Sequence, residues 1–140
     1  MAAATSIMRA QQIVQASVDD ALRPFGLTFA RYEALVLLAF SKRGALPMVR
    51  MGERLMIHPT SVTNIVDRLE GQGFVRRRPH ERDRRTTLVE ITDAGRQVME
   101  QATGVVVACS FGLDALSEAQ LEQVTALVRT VRVGTGEVPG

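Results

Sequence analysis

Along most of the chain apolar residues recur every three to four positions, the period of an amphipathic helix, and only around residues 74–92 does this give way to short β-branched runs. From Thr5 to Arg23 the period is kept by Ile7, Val14, Val18, Ala21 and Leu22, with Gln11 as an exception, and Pro24 and Gly26 stop it. Thr28 is placed to cap a second helix, "FARYEALVLLAFSKRG". Its apolar density at Leu35, Val36, Leu38, Ala39 and Phe40 is too high for a surface position, so it is expected at the centre of the fold, ending at Gly44. The segment "ALP" then bridges to a short third helix around residues 48–55.

The next segment, "IHPTSVTNIVDRLEGQGF", divides into two faces. Pro59 sits where a first helical turn tolerates it, and Val62, Ile65, Val66 and Leu69 form one apolar stripe that should face the core. Thr60, Ser61, Thr63, Asn64 and Arg68 are left on the other side, short hydrogen-bonding groups and a terminal cation, with no acid until Asp67. Such a face suits base edges and phosphates in a major groove. Gly71 and Gly73 provide the stop. Residues 74–78 and 86–92 then read as an antiparallel hairpin, in which Pro79 ends the first strand because it lacks an N–H for the ladder. Thr92 or Asp93 can cap a long helix from Ala94 to about Phe111, and Ser117 with Gln120 forms a capping-box pattern before a last helix lined by Leu121, Val124, Leu127, Val128 and Val131.

Charge sharpens this picture. The 140 residues carry a formal charge of only +2, yet "FVRRRPHERDRRT", residues 74–86, holds six arginines and a net +4. Residues 93–140 are acidic by three charges, so the basic hairpin is a local feature, the footprint expected of a nucleic-acid site. Helix, short helix, helix and basic hairpin, in that order, make a winged helix-turn-helix, and six arginines on a projecting ribbon match a phosphate backbone and a narrow minor groove. The predicted fold is mainly α with a small β-hairpin wing. A dimerisation helix at 1–24 precedes a DNA-binding domain at 27–92, with its recognition helix at about 59–72 and its wing at about 74–92. Dimerisation helices at 93–133 and a flexible tail at 134–140 complete the chain.

The stretch "SVTNIVDRLEGQGFVRRRPHERDRRTTLVEITDAGR" resembles the recognition helix, wing and start of the long fifth helix of the MarR family of bacterial winged-helix transcriptional regulators, and the similarity covers nearly the whole chain. The resemblance implies that Asp83 and Arg85 take the family's Asp-x-Arg wing motif, with Arg85 entering the minor groove, Asp83 orienting it or a neighbouring arginine, and Arg82 and Arg84 on phosphates. It also implies a homodimer built from the first and last two helices, and repression relieved by a small molecule. Independently, apolar helices at both ends of a short chain need a partner, and a dimer presents two recognition helices to half-sites roughly 34 Å apart, hence an inverted-repeat operator.

In this family the effector pocket lies between the DNA-binding lobe and the dimerisation helices. Predicted position gives Val14, Val18, Arg31, Tyr32, Leu35, Phe40, Met48 and Met51 as its candidate lining, against the simpler reading of each as core. Arg31, a cation near an apolar cavity, would favour an anionic aromatic or an acyl thioester.

Other chemistry finds little support. The lone Cys109 sits in apolar "VVVACSF" with no basic neighbour in sequence, which favours a packing role over a redox sensor. His58 and His80 lack metal-ligand spacing and are expected at DNA or solvent. No nucleophile elbow, phosphate-binding glycine loop or placed carboxylate pair marks an enzyme, and no cofactor is implied. With no apolar run of membrane-spanning length and no signal peptide, the expected location is the cytoplasm. The competing readings are a ligand-independent or architectural DNA-binding protein and a regulator responding through Cys109.

Overall fold

A computed structural model describes residues 1–137, and the last three residues of the expected carboxy-terminal tail lie outside the described residues. Six α-helices and three strands follow in the order α1 (Ala2–Leu22), α2 (Phe29–Ala39), β1 (Ala45–Pro47), α3 (Met48–Leu55), α4 (Pro59–Gly71), β2 (Val75–Pro79), β3 (Thr87–Ile91), α5 (Asp93–Ala108) and α6 (Glu118–Gly134). The fold is the predicted one, mainly helical with a small antiparallel sheet. Its core gathers Val18 and Leu22 of α1, Leu35 and Leu38 of α2, Met51 of α3, Val66 and Leu69 of α4, Val89 of β3, and Ala102 and Val106 of α5, each at most 1% exposed.

Local capping sets the helix boundaries. Thr28 caps α2 by accepting from the Arg31 N–H, and the backbone N–H of Phe29 donates to Asp19 Oδ1 at 2.8 Å, which pins the start of α2 to α1. Thr92 caps α5, and Ser117 and Gln120 complete a reciprocal capping box on α6.

Three expectations change. First, α2 stops at Ala39 rather than Gly44, because the chain turns extended at Ser41 (φ −82°, ψ 156°) and Arg43 then adopts φ 60°, both outside the helical region. Phe40, expected in the core, is consequently 85% exposed. Second, "ALP" is a strand: β1 pairs with β3 from Ala45↔Glu90 to Pro47↔Leu88, giving the order β1-β3-β2. Three residues carry no readable alternation, and Pro47 is tolerated because β1 is an edge. Third, α5 ends at Ala108, three residues before Phe111. Ser110, Phe111 and Gly112 all have φ between 52° and 73°, and this left-handed run reverses the chain. A Cβ on Gly112 would lie 2.8 Å from Ser17 Cβ, so close packing on α1 requires the glycine there.

One joint fixes the hairpin to the helical body. The Thr92 hydroxyl donates to the Gly73 carbonyl at 2.7 Å and accepts from the Gly95 N–H at 3.0 Å, while the Thr92 N–H donates to the Phe74 carbonyl at 3.0 Å. Both ends of the hairpin and the first turn of α5 thus meet at one residue. Gly95 makes the approach possible, since a Cβ there would sit 2.1 Å from the Phe74 carbonyl oxygen. Gly95→Ala is therefore expected to lower Tm by about 5–10 °C, the cost of overpacking a rigid backbone contact. Gly71→Ala, where an added Cβ meets nothing within 4 Å, should leave Tm unchanged or slightly raised. Thermal denaturation of the two variants checks both.

Candidate nucleic-acid interface

The two-faced reading of α4 holds in three dimensions. Val62, Val66 and Leu69 are at most 2% exposed, Ile65 is half-buried, and Thr60, Ser61, Thr63, Asn64 and Arg68 all stand exposed on the opposite side. The Thr63 hydroxyl donates to the Pro59 carbonyl at 3.1 Å, which holds its rotamer and turns its methyl group outward from that bond. His58 is the N-cap of this helix: its Nδ1 accepts from the Thr60 N–H at 3.1 Å. His80 does the same at the hairpin tip, where Nδ1 accepts from the N–H groups of Arg82 and Asp83 at 3.1 and 3.3 Å. Both histidines thus shape the backbone of the elements they were expected merely to expose.

The six arginines divide into two groups. In the sheet register Arg76 lies opposite Glu90 and Arg78 opposite Leu88, on the outer face, and each guanidinium approaches the Glu90 carboxylate at 2.7 Å. Arg77 alternates to the inner face with Val75 and is 26% exposed at its side chain. It spans two carboxylates one turn apart on α4, Asp67 and Glu70 at 2.8 Å, and its own N–H donates to Glu70 at 3.0 Å. Partial burial disfavours its charge, but the hydrogen bonds it donates to Asp67 and Glu70 outweigh that and hold its pKa above the ordinary arginine range. Half of the basic run is therefore paired with carboxylates of the fold, correcting the expectation that all six arginines are offered to a phosphate backbone.

Arg82, Arg84 and Arg85 form the other group. All are exposed, and none has an ion-pair partner among the described residues. Asp83 does position Arg85, through the backbone rather than the guanidinium: its Oδ1 accepts from the Arg85 N–H at 3.0 Å and its Oδ2 from the Thr86 hydroxyl at 3.1 Å. With the His80 N–H donating to the Thr86 carbonyl at 3.0 Å, the tip is a hydrogen-bonded turn carrying three arginines without an ion-pair partner among the described residues, beside Glu81 and Asp83.

The eight candidate effector residues do not come together. Val18, Leu35 and Met51 are fully packed core, and Val14 is half-buried against it. The Tyr32 hydroxyl is 2.7 Å from Thr103 Oγ1 and bridges α2 to α5. Phe40 is in solvent, and Met48 lines a separate apolar groove between α3 and α4 with Ile57 and Val62. Arg31 shares a cleft with Ser61, Asn64 and Arg68 on the exposed side of α4. Predicted position alone missed this, because Arg31 and Tyr32 are adjacent in sequence yet lie on different faces of α2. Cys109, expected as a buried packing residue, is half-buried, with its thiol donating to the Val106 carbonyl at 3.1 Å.

Arg77 and its two acids were the residues sequence reasoning passed over. The signal was present, since strand alternation puts Arg77 on the face of Val75, and a cation on a partly buried face needs acidic partners.

The outer-face pair gives a pH prediction. The Arg76 hydrogen bond, opposed by burial and aided by the charges of Arg76 and Arg78, holds the Glu90 pKa below the ordinary carboxylate range. A depressed pKa adds stability that is complete above the unfolded value of about 4.3 and is lost as pH falls through the folded value. Glu90→Gln should therefore be less stable than the parent at pH 6, and the difference should shrink as pH is lowered from about 5 to 3. Urea melts at a series of pH values measure it; a gap independent of pH would contradict the pairing.

Comparison with known proteins agrees with the site. Residues 27–87 match the profile of the MarR family. The crystal structure of Sco5413, a MarR family transcriptional regulator from Streptomyces coelicolor, is 54% identical with a TM-score of 0.93, over 100% of this chain and 97% of that one. Sco3205, another MarR family transcriptional regulator of that organism, solved in complex with DNA, is 29% identical with a TM-score of 0.84, over 93% of this chain and 83% of that one. The organic hydroperoxide resistance transcriptional regulator of Bacillus subtilis is 29% identical over 110 residues, 79% of this chain and 73% of that protein. These relatives regulate transcription and are not enzymes. An exposed polar helix face, an arginine-tipped wing and whole-chain similarity thus converge: this chain belongs to the MarR family of DNA-binding transcriptional regulators.

Proposed function

We propose that the chain acts as a homodimeric, sequence-specific repressor, reading an inverted-repeat operator with α4 in the major groove and the wing tip in the flanking minor groove. The observation that carries this reading is the clamp of Arg77 on Asp67 and Glu70, which joins the exposed polar face of α4 to a tip with three unpaired arginines. Neither element needs rearrangement to present its charge. Thr60, Ser61, Asn64 and Arg68 then meet base edges and phosphates, Arg85 enters the minor groove, and Arg82 and Arg84 neutralise backbone charge.

Dimerisation is supported by the apolar surface left uncovered. No residue of α6 is buried, and Leu127 and Val131 are 70% and 60% exposed; on α1, Met8 and Ile13 are 69% and 63% exposed. Apolar surface at both ends of a chain of this size fits burial against a second copy. Relief of repression by a small ligand completes the reading, and such a ligand must favour the arrangement that does not bind DNA, about 1.4 kcal/mol of preference giving a tenfold loss of operator affinity. A small molecule is favoured over oxidation of Cys109, because that thiol is half-buried and hydrogen-bonded to a carbonyl rather than to a cation that would favour the thiolate.

Two outcomes are expected. Fluorescence anisotropy on a duplex selected by the wild-type protein from a random-sequence pool should give saturable binding that weakens by on the order of 10³-fold between 50 and 200 mM salt. Arg85→Ala should lose most of the preference for that duplex over a random one; equal binding to every duplex by both proteins would favour the architectural reading. In light scattering, the wild type should have twice the 15.3 kDa chain mass, and Leu127→Asp should shift to monomer while its affinity falls towards the non-specific range of about 10⁻⁴–10⁻⁶ M. A monomeric wild type that still binds the selected duplex tightly would contradict the dimer.

A further inference from the structure

The cleft that Arg31 shares with α4 has a volume of about 370 Å³, and its lining includes Thr28 and Arg31 from the start of α2 and Ser61, Asn64 and Arg68 from the exposed face of α4. It contains two guanidinium groups and no carboxylate. The nearest acid in sequence to Arg68, Asp67, is occupied by Arg77. Arg31 is held at one edge, with Nε donating to Thr28 Oγ1 at 3.3 Å and Nη1 to the Gly26 carbonyl at 3.1 Å. That same carbonyl accepts from Gln72 Nε2 at 2.8 Å, so the last turn of α4 and the Arg31 guanidinium are anchored at one point. The remaining N–H groups of Arg31, and all of those of Arg68, have no acceptor among the described residues.

We infer that this cleft seats one phosphate of the DNA backbone, with Arg31 and Arg68 as its cationic walls. The inference rests on the reading of α4 as the recognition helix. A helix lying in a major groove is bordered by a sugar–phosphate strand on each side, and the start of α2 is what this fold places beside the exposed face of α4. Arg31 is therefore a DNA-contacting residue, not part of an effector pocket. Its contact carries no sequence information of its own: it sets the depth and register at which Asn64 and Ser61 meet the base edges. The two fixed hydrogen bonds pre-orient the guanidinium, so little side-chain freedom is lost when a phosphate arrives.

The test measures affinity for the selected duplex against salt for wild type, Arg31→Ala and Arg31→Lys, with Tm recorded for each. Because the dimer loses one phosphate contact in each half-site, the slope of log K against log salt should fall by about 1.8 and the affinity by on the order of a hundredfold. Arg31→Lys should restore the slope, and Tm should not track the losses. A scan of single neutral methylphosphonate linkages should contain one position in each half-site that weakens the wild type and leaves Arg31→Ala unaffected. Unchanged slope and affinity in Arg31→Ala overturn the inference alone, as does a Tm loss that accounts for the weakened binding. Competition by inorganic phosphate at constant ionic strength, abolished in Arg31→Ala, would assign the cleft to a free anion and also overturn it. If the wild type binds no selected duplex, the recognition-helix reading fails and this inference fails with it.

Discussion

The structure depends on burying one stripe of one helix. Val62, Val66 and Leu69 are removed from water almost completely, and each such side chain contributes roughly 1.5–3 kcal/mol of transfer free energy. Because side chains on a helix have fixed angular positions, burying that stripe also fixes the direction of Thr60, Ser61, Asn64 and Arg68. Rotating α4 to hide its polar face would expose the stripe, and no surface interaction on the molecule offsets a loss of that size. The hairpin is tied to the same core through Val75, Val89 and Ile91. The direction in which the protein presents hydrogen-bonding groups and charge is thus set by apolar packing on the opposite side.

Charge then acts within that frame and does two kinds of work. Arg76 and Arg78 converge on Glu90, and Arg77 on Asp67 and Glu70, and each pair has at least one partner that is 41% exposed or more. Ion pairs of that kind typically add at most about 1 kcal/mol each, so their main effect is geometric, holding the wing at one angle to α4. Arg82, Arg84 and Arg85 have the reverse character. They add no ion pair to the fold among the described residues, and their guanidinium groups are left for an external anion. Asp83 and His80 accept the backbone hydrogen bonds that keep this turn in shape, while Thr92 holds the base of the hairpin to the helical body.

Most helices were legible because they carry periodic apolar positions and chemically specific caps: Thr28, Thr92 and the Ser117–Gln120 pair all act as their residue types suggest. The stripe of α4 and the exposed side chains facing away from it were legible for the same reason. What sequence could not reveal was decided by tertiary approach. The strand β1 exists only because β3 offers an unpaired edge, and α5 ends early because the chain must turn back onto Ser17. The cleft that Arg31 shares with α4 was hidden for a related reason: which side of α2 meets the exposed face of α4 depends on the packing of three helices, and no period within α2 encodes it. The charge count of the hairpin was correct, but its meaning changed once strand alternation assigned Arg77 to the inside.

The account's central claim is that the exposed face of α4 and the wing tip act together as the DNA-binding surface. Amide chemical-shift mapping of the protein during titration with a selected duplex tests it directly. The account predicts concerted shifts at residues 60–68 and 80–86, with the amides of α6 unmoved. Shifts confined to the wing, or spread over α1 and α6 while residues 60–68 stay in place, would contradict it.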